Sequence, residues 1–405
     1  MASSSQLKRF KTDVISIPWE MGKSKVQSMV PALTSELHKG SCGRVAVIGG
    51  SVEYTGAPFY AATSALKIGA DLSFVLTAQE AALPLKCYGP ELMVMPIYSI
   101  TSFDQVNEKE VQNIMKTILQ KVQDMLPRIH SIVMGPGLGR HPNVMNITSQ
   151  ILKLCKEKKM PIVIDADGLW MVNQHLYIFM TTMTSSSRRS SSGSNDNSHI
   201  VLTPNLAEFN RLYDATLKTH LINSKNTLKN IDDDENINHF NDDDVHLSKK
   251  PKRIEGIENN NFDCIPDTLL PMASKLSEVS KILGGVTILL KGSIDLISNG
   301  SCTIALVGEE GSPRRCGGMG DILSGTIGTF LHWTTTSKGN NNSIQTDDVE
   351  QSYAAVTPAM WSCWAGCVVT KRTAQKAFAV HKRSTTAPDL LDHIGEVGES
   401  LFPTS

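Results

Sequence analysis

Gly311-Ser-Pro-Arg-Arg-Cys-Gly-Gly-Met-Gly-Asp321, running on into Ile-Leu-Ser-Gly325-Thr-Ile-Gly328, is the stretch on which the reading of this 405-residue chain turns. Two arginines, Arg314 and Arg315, lead into Gly317, Gly318 and Gly320, and Asp321 then heads an apolar, small-residue segment that reads as a buried helix. Glycines free the backbone for positive φ and let a ligand approach the main chain. The first N–H groups of a helix lack intrahelical partners, so they can point at an anion. A carboxylate beside them is expected to be ionised and able to accept a proton from an attacking hydroxyl. Together these parts describe a place where a hydroxyl meets a phosphate. The plainer reading is a glycine-rich C-cap followed by an Asp that caps the next helix, and the rest of the chain decides between the two.

Outward from that stretch, strand-like and helix-like signals alternate. Arg44–Ile48 is a short apolar run that ends at Gly49-Gly50. Phe59, Ala62, Leu66 and Gly69 then fall at helical spacing across 57–70, and Leu72–Thr77 reads as the next strand. Gly49-Gly50-Ser51 is not a G-x-G-x-x-G fingerprint. Gly22-Lys23-Ser24 fails as a phosphate loop because Ile17 stands where the first glycine belongs. Further on, four apolar runs end in loops of glycine, acid, amide or lysine. Ile132–Met134 leads into Gly135–Arg140, and 161–164 into Asp165-Ala-Asp167-Gly168. Ile200–Leu202 leads into Thr203–Glu208, and 286–290 into Lys291–Asp295. In an open α/β sheet, ligands gather outside the carboxyl ends of the strands, where all these loops would sit. One such loop is ordinary punctuation. Four of them together with the glycine stretch predict a site.

Composition removes other classes. The formal charge of −1 gives no strong field for nucleic acid. No apolar run approaches the ~18 residues needed to cross a bilayer. The eight cysteines include no CxxC pair, and Cys363 and Cys367 are spaced for packing within a helix. With no signal peptide read at the amino end, they are expected to be reduced thiols in a cytoplasmic protein. Residues 1–18 read as a flexible tail. Polar, Asn/Asp- or Ser-rich segments at about 185–199, 216–266 and 334–349 lack apolar periodicity and are expected to be disordered insertions. The basic Lys249–Arg253 reads as counter-charge to the neighbouring acidic runs. Without the insertions, residues 19–405 form one domain of roughly 300 residues, within reach of a single core.

The chain resembles a known family, the carbohydrate-kinase-like NAD(P)H-hydrate dehydratases of the ribokinase-like superfamily. The resemblance lies in Gly43–Ser51, Tyr54-Thr-Gly-Ala-Pro58, Gly135-Pro-Gly-Leu-Gly-Arg140, Asp165-Ala-Asp-Gly-Leu-Trp170, Thr203–Phe209, Lys291-Gly292, Arg314–Asp321 and His381–Thr386. It spans residues from about Trp19 to Phe402 apart from the insertions. One departure is Met319, where members usually carry glutamine.

What the resemblance implies is a three-layer αβα sandwich with a central, mostly parallel sheet, and a repair reaction. The substrate would be NADHX or NADPHX, a reduced nicotinamide dinucleotide whose ring has taken up water. ATP would phosphorylate the ring hydroxyl of the S epimer, and loss of phosphate and a neighbouring proton would restore the dihydropyridine. Asp321 would be the catalytic residue and would also face the substrate. Lys291, Gly292, Ser293, Ile294 and Asp295 would line the ATP site. So would Gly311, Ser312, Pro313, Arg314, Arg315, Cys316, Gly317, Gly318, Met319 and Gly320. Gly137 and the run Asn205, Leu206, Ala207, Glu208, Phe209, Asn210 and Arg211 would face the hydrated dinucleotide. Mg²⁺ would be the cofactor, water-bridged near Glu208 with no direct protein ligand, because it keeps much of its hydration shell. The functional partner would be a separate NAD(P)H-hydrate epimerase, no nucleic acid or membrane is involved, and homo-oligomerisation stays open. Two alternatives share the Gly-Asp loop: a thiazole- or pyrimidine-type alcohol kinase of the same superfamily, and a non-catalytic nucleotide-binding protein.

Overall fold

The computed structural model describes residues 13–104, 106–180, 197–232, 266–337 and 353–404. Its centre is a set of short runs buried at every position: β5 (Ser131–Met134), β6 (Ile162–Ile164), β7 (Ile200–Leu202) and β8 (Thr287–Leu290). Continuous apolar burial is what a parallel strand covered on both faces requires. They join β1 (Asp13–Ile15), β2 (Arg44–Ile48), β3 (Leu72–Ala78), β4 (Met93–Tyr98), β9 (Asp295–Ser298) and β10 (Cys302–Leu306). The described strands form one ten-stranded sheet in the order β1-β10-β9-β8-β7-β6-β5-β2-β3-β4. Every pairing is parallel except those of β9 with β8 and β10.

From β2 the chain builds one way to β3 and β4, then crosses back to β5 and builds the other way. The junction of β2 and β5 is therefore a topological switch point, where the connections diverge and leave a crevice at the carboxyl ends.

The described helices are α1 (Trp19–Gln27), α2 (Gly56–Ile68), α3 (Gln79–Tyr88), α4 (Glu108–Met125), α5 (Pro142–Glu157) and α6 (Asp167–Gln174). After them come α7 (Leu206–Asp232), α8 (Leu270–Ile282), α9 (Met319–Thr336), α10 (Pro358–His381) and α11 (Ala387–Leu401). Helices α4 to α8 each pack on the next, and α2, α9, α10 and α11 pack on one another. These two helical layers enclose the sheet, giving the expected three-layer αβα sandwich.

Helix α9 shows why its sequence is rich in small residues. A Cβ on Gly325 would lie 1.9 Å from the Ala61 carbonyl oxygen of α2, and one on Gly328 would lie 2.7 Å from Val133 of β5. Only hydrogen fits in either place. Residues from Ile322 to Thr334 are buried without a break, so the expected buried helix is present.

Four expectations need correction at their edges. Within the proposed tail 1–18, Asp13–Ile15 pair in parallel with Cys302–Ile304, and Ile17 joins the core. A three-residue strand is too short to show periodicity. Within 216–266, α7 continues to Asp232 because Leu206–Asp232 contains neither Gly nor Pro to stop it. Asn197 is buried, its amide donating to the Leu283 and Phe179 carbonyls, and α9 runs through Thr336. Residues 1–12, and within the expected insertions 185–196, 233–265 and 338–349, lie outside the described residues. No helix among the described residues is long and apolar enough to cross a membrane.

Candidate active site

The loops after β5, β6, β7 and β8 are tied into one surface. Gly135 takes φ 122°, and a Cβ there would lie 1.9 Å from the Asp165 carbonyl oxygen, so the β5 and β6 loops touch backbone to backbone. Asp167 accepts from the Gly139 N–H at 3.0 Å and from Arg140 Nε at 3.1 Å, while the Arg140 guanidinium lies over Trp170. Between them Ala166 sits at φ 48°, a conformation rare for a residue with a side chain. The Lys291 N–H donates to the Pro204 carbonyl at 2.9 Å, joining the β7 and β8 loops. Its side chain reaches back across β7, and Nζ lies 2.7 Å from Asp165 Oδ1.

The start of α9 closes on this pair. Gly318 stands just before the helix at φ 92°, and a Cβ on Gly320 would lie 3.5 Å from Lys291 Nζ and 3.7 Å from Asp165 Oδ2. Asp321 is thus the third residue of the helix, not its cap. Burial, then the negative charge of Asp165, push its pKa up to about 7, with Lys291 opposing and Asp167 adding to the rise. The expectation of a fully ionised carboxylate is corrected: at neutral pH this acid is poised between its two forms. For Lys291, burial favours the neutral amine, but Asp165 outweighs it with help from Glu208 and Asp321, and the lysine stays charged.

Around this centre the expected nucleotide loops take their places. Pro313, Arg314, Arg315 and Gly317 are exposed, and the Arg314 N–H donates to Ser312 Oγ at 3.0 Å. A Cβ on Gly317 would meet nothing within 4 Å, so this loop borders open space. Met319 fills its unusual position by accepting the Cys316 N–H on sulfur at 3.4 Å. In the β8–β9 turn, Gly292 and Ser293 are exposed and Ile294 half-buried. The Asp295 carboxylate is buried, accepting from the Gly292 N–H at 2.8 Å and pairing with Lys371 of α10 at 2.9 Å. As a ligand contact Asp295 is corrected: it shapes the turn from below.

On the other side, Asn205 and Glu208 cap α7 reciprocally, with Asn205 N–H to Glu208 Oε2 at 2.8 Å and Glu208 N–H to Asn205 Oδ1 at 3.0 Å. Glu208 and Arg211 line a cavity of about 120 Å³ together with Arg140, Asp167 and Trp170. Leu206, Ala207 and Asn210 are exposed. Phe209 is fully buried, because helical periodicity turns it into the core, so its side chain cannot face a ligand. Gly137, at φ 63°, backs onto Tyr54 at the switch point. Among the described residues no group of three or more His, Cys, Asp or Glu could hold a metal ion.

Two supports were not legible in advance. Asp165 and Asp167 stood in a recognised loop without a role. Helix α10 fixes the loops expected to hold nucleotide from behind: Lys371 donates to the Ser293 carbonyl at 2.9 Å, Arg372 pairs with Glu309, and Gln375 donates to the Glu310 carbonyl. No spacing links α10 to those loops, and only the fold brings them together.

A mostly parallel sheet on a ribokinase-like fold thus carries, at its strands' carboxyl ends, a glycine loop opening a buried helix and an acid set against a lysine–aspartate pair, an enzyme-like arrangement. The family profile for NAD(P)H-hydrate dehydratase matches residues 45–236 and 263–395, and the chain belongs to that family. It is 36% identical over 387 residues to the ATP-dependent (S)-NAD(P)H-hydrate dehydratase of Arabidopsis thaliana, covering 95% of this chain and 86% of that one. To the enzyme of the same description from Rattus norvegicus it is 35% identical over 382 residues, covering 94% and 85%. A Bacillus subtilis ADP/ATP-dependent NAD(P)H-hydrate dehydratase, co-crystallised with ATP/Mg²⁺, shares the fold at a TM-score of 0.52 and 16% identity, covering 97% of this chain and 99% of that one.

Proposed function

We propose that this protein uses ATP to dehydrate the S epimer of hydrated NADH and NADPH, returning the reduced dinucleotide with ADP and phosphate. Family membership supports the reaction, and one observation supports its assignment to this site. Asp321 sits in the first turn of α9, its pKa raised to about 7, against the Lys291–Asp165 pair. A general base works best with a pKa near the operating pH.

In this reading Asp321 takes the proton of the ring hydroxyl as its oxygen bonds to the γ-phosphorus and the bond to ADP breaks. The backbone N–H groups of Gly317 to Gly320 hold the transferring phosphoryl group, where positioning and charge stabilisation supply most of the catalysis. The ring nitrogen lone pair then expels phosphate, and the adjacent carbon loses a proton to restore the double bond. Lys291 stays charged and holds Asp165 in place beside the base. Gly137 and the exposed face of Asn205–Arg211 bind the hydrated dinucleotide. Mg²⁺ would neutralise phosphate charge. The half-buried Glu208, with one oxygen on its own helix start, is the carboxylate suited to meet a metal through water.

Incubating the protein with hydrated NADH and ATP·Mg²⁺ tests this reading. Recovery of dihydronicotinamide absorbance with one ADP per turnover is expected. A phosphorylated product that accumulates would identify a small-molecule kinase instead. ATP binding without turnover of any hydrate would identify a nucleotide-binding protein.

A further inference from the structure

The Tyr54-Thr-Gly-Ala-Pro58 motif is not used by the proposed phosphate chemistry, yet it stands at the switch point beside both halves of the site. A Cβ on Gly137 would lie 2.7 Å from the Tyr54 carbonyl oxygen and 3.0 Å from Tyr54 Cβ. One on Gly318 would lie 2.8 Å from Tyr60 Cδ2. The segment from Tyr54 to Tyr60, which leads into α2, therefore bridges the expected substrate glycine and the loop that opens α9. Phe59 extends this surface edge-on to Tyr60 at 5.7 Å and to Tyr88 at 5.4 Å. The Tyr88 hydroxyl is fixed 2.8 Å from Thr55 Oγ1.

Aromatic rings gathered only for packing would be covered. Tyr54 is 57% exposed and Tyr88 is 49% exposed. Burial, then Cys316 and Asp321, hold the Tyr60 phenol above its ordinary pKa, so it is protonated at neutral pH and lies within electrostatic reach of the base.

We infer that Tyr54, Tyr60 and Tyr88 form the wall that receives the nicotinamide-derived ring, whose conjugated carboxamide side stays flat in the hydrate, and so set specificity for it. This inference rests on the proposed dehydratase reading, which requires that ring to bring its hydroxyl to Asp321. Aromatic faces bind a flat conjugated segment at low entropic cost, and Tyr60 places this surface within reach of the acid.

The test is equilibrium binding of NADPH and of its 2′-phosphorylated ADP-ribose, which lacks only the nicotinamide, to the full chain and to Tyr54→Ala, Tyr60→Ala and Tyr60→Phe, alongside the hydrate repair assay. Tyr54→Ala and Tyr60→Ala should each weaken NADPH about tenfold and leave the phosphorylated ADP-ribose within about twofold, as expected for loss of one stacking partner. Tyr60→Phe keeps the ring and should bind NADPH nearly as well as wild type. Should NADPH bind all variants equally, or fail to bind the wild type, the wall is refuted whatever the repair assay shows. Equal loss of the phosphorylated ADP-ribose would also overturn it, by assigning the wall to adenine. If the binding pattern appears while wild-type repair is absent, the dehydratase reading falls and the aromatic wall stands.

Discussion

Lys291 Nζ lies 2.7 Å from Asp165 Oδ1, so a cation after β8 neutralises an acid after β6 at the foot of α9. The two residues act on Asp321 with opposite signs, Asp165 raising its pKa and Lys291 lowering it. Lys291→Met should therefore move the acid limb of kcat/KM above pH 7, and Asp165→Asn should move it below. Both variants lose stability, because each strands a partner. A broken buried pair costs about 3–5 kcal/mol, with the lower end expected for loss of Asp165, since Lys291 keeps some solvent contact. pH–rate profiles of the two variants check this, and limbs that move the same way would show that Asp321 is not the group being read.

Gly317 and Gly318 should respond differently to a methyl group. At Gly318 the φ of 92° is strained for any side chain, and a Cβ would lie 2.7 Å from Ala387 Cβ. Gly318→Ala should cost about 1–3 kcal/mol in unfolding experiments and also weaken nucleotide binding. At Gly317 a Cβ would meet nothing within 4 Å, so Gly317→Ala should fold normally and lose only nucleotide affinity. Denaturant melts and ATP titrations on both variants separate folding from binding. Normal ATP affinity in Gly317→Ala would remove this loop from the phosphate site.

The His130 and His332 rings lie 4.6 Å apart, tilted by 30°, near the amino ends of β5 and β2. Burial, then His130, depress the His332 pKa to about 4, and burial with Arg44 depresses that of His130. A base whose folded pKa lies below its unfolded value binds fewer protons when folded. Its contribution is present above the unfolded pKa of about 6.5 and is lost as pH falls toward the folded value. For His332 the loss is on the order of 3 kcal/mol. Thermal melts from pH 7.5 to 4.5 should show wild type losing more stability than His332→Gln. Parallel curves would mean that this pair is not responsible.

Asp321 should oppose the fold that holds it. Its folded pKa of about 7 exceeds the ordinary carboxylate value, so ionisation between those limits costs stability as pH rises. Asp321→Asn should then unfold at higher denaturant than wild type at pH 8, by about 1–3 kcal/mol after allowance for its partial exposure. The difference should shrink at pH 5. A variant no more stable than wild type at pH 8 would show the carboxylate to be well solvated.

The strands that build the site were legible because each is an apolar run buried on both faces: Arg44–Ile48 and Ile200–Leu202 were bounded as observed. Their loops were legible because glycine, acid, amide or lysine follows each run. Other features depend on partners distant in the chain. Asp13–Ile15 becomes a strand only because β10 offers an edge. The ionisation of Asp321 depends on Asp165 and Lys291, and Phe209 leaves the binding run because α7 turns it inward. Lys371 supports the β8–β9 turn from α10, a pairing that no local pattern announces.

The central claim is that Asp321 is the proton acceptor in ATP-dependent hydrate repair, and Asp321→Asn tests it most directly. The amide keeps the shape of the site but cannot take the hydroxyl proton. ATP binding and hydrate repair are measured on one preparation at neutral pH. Nucleotide affinity should stay within several-fold of wild type, while kcat falls by about 10²–10⁴. Repair at a near-wild-type rate by Asp321→Asn would contradict the account.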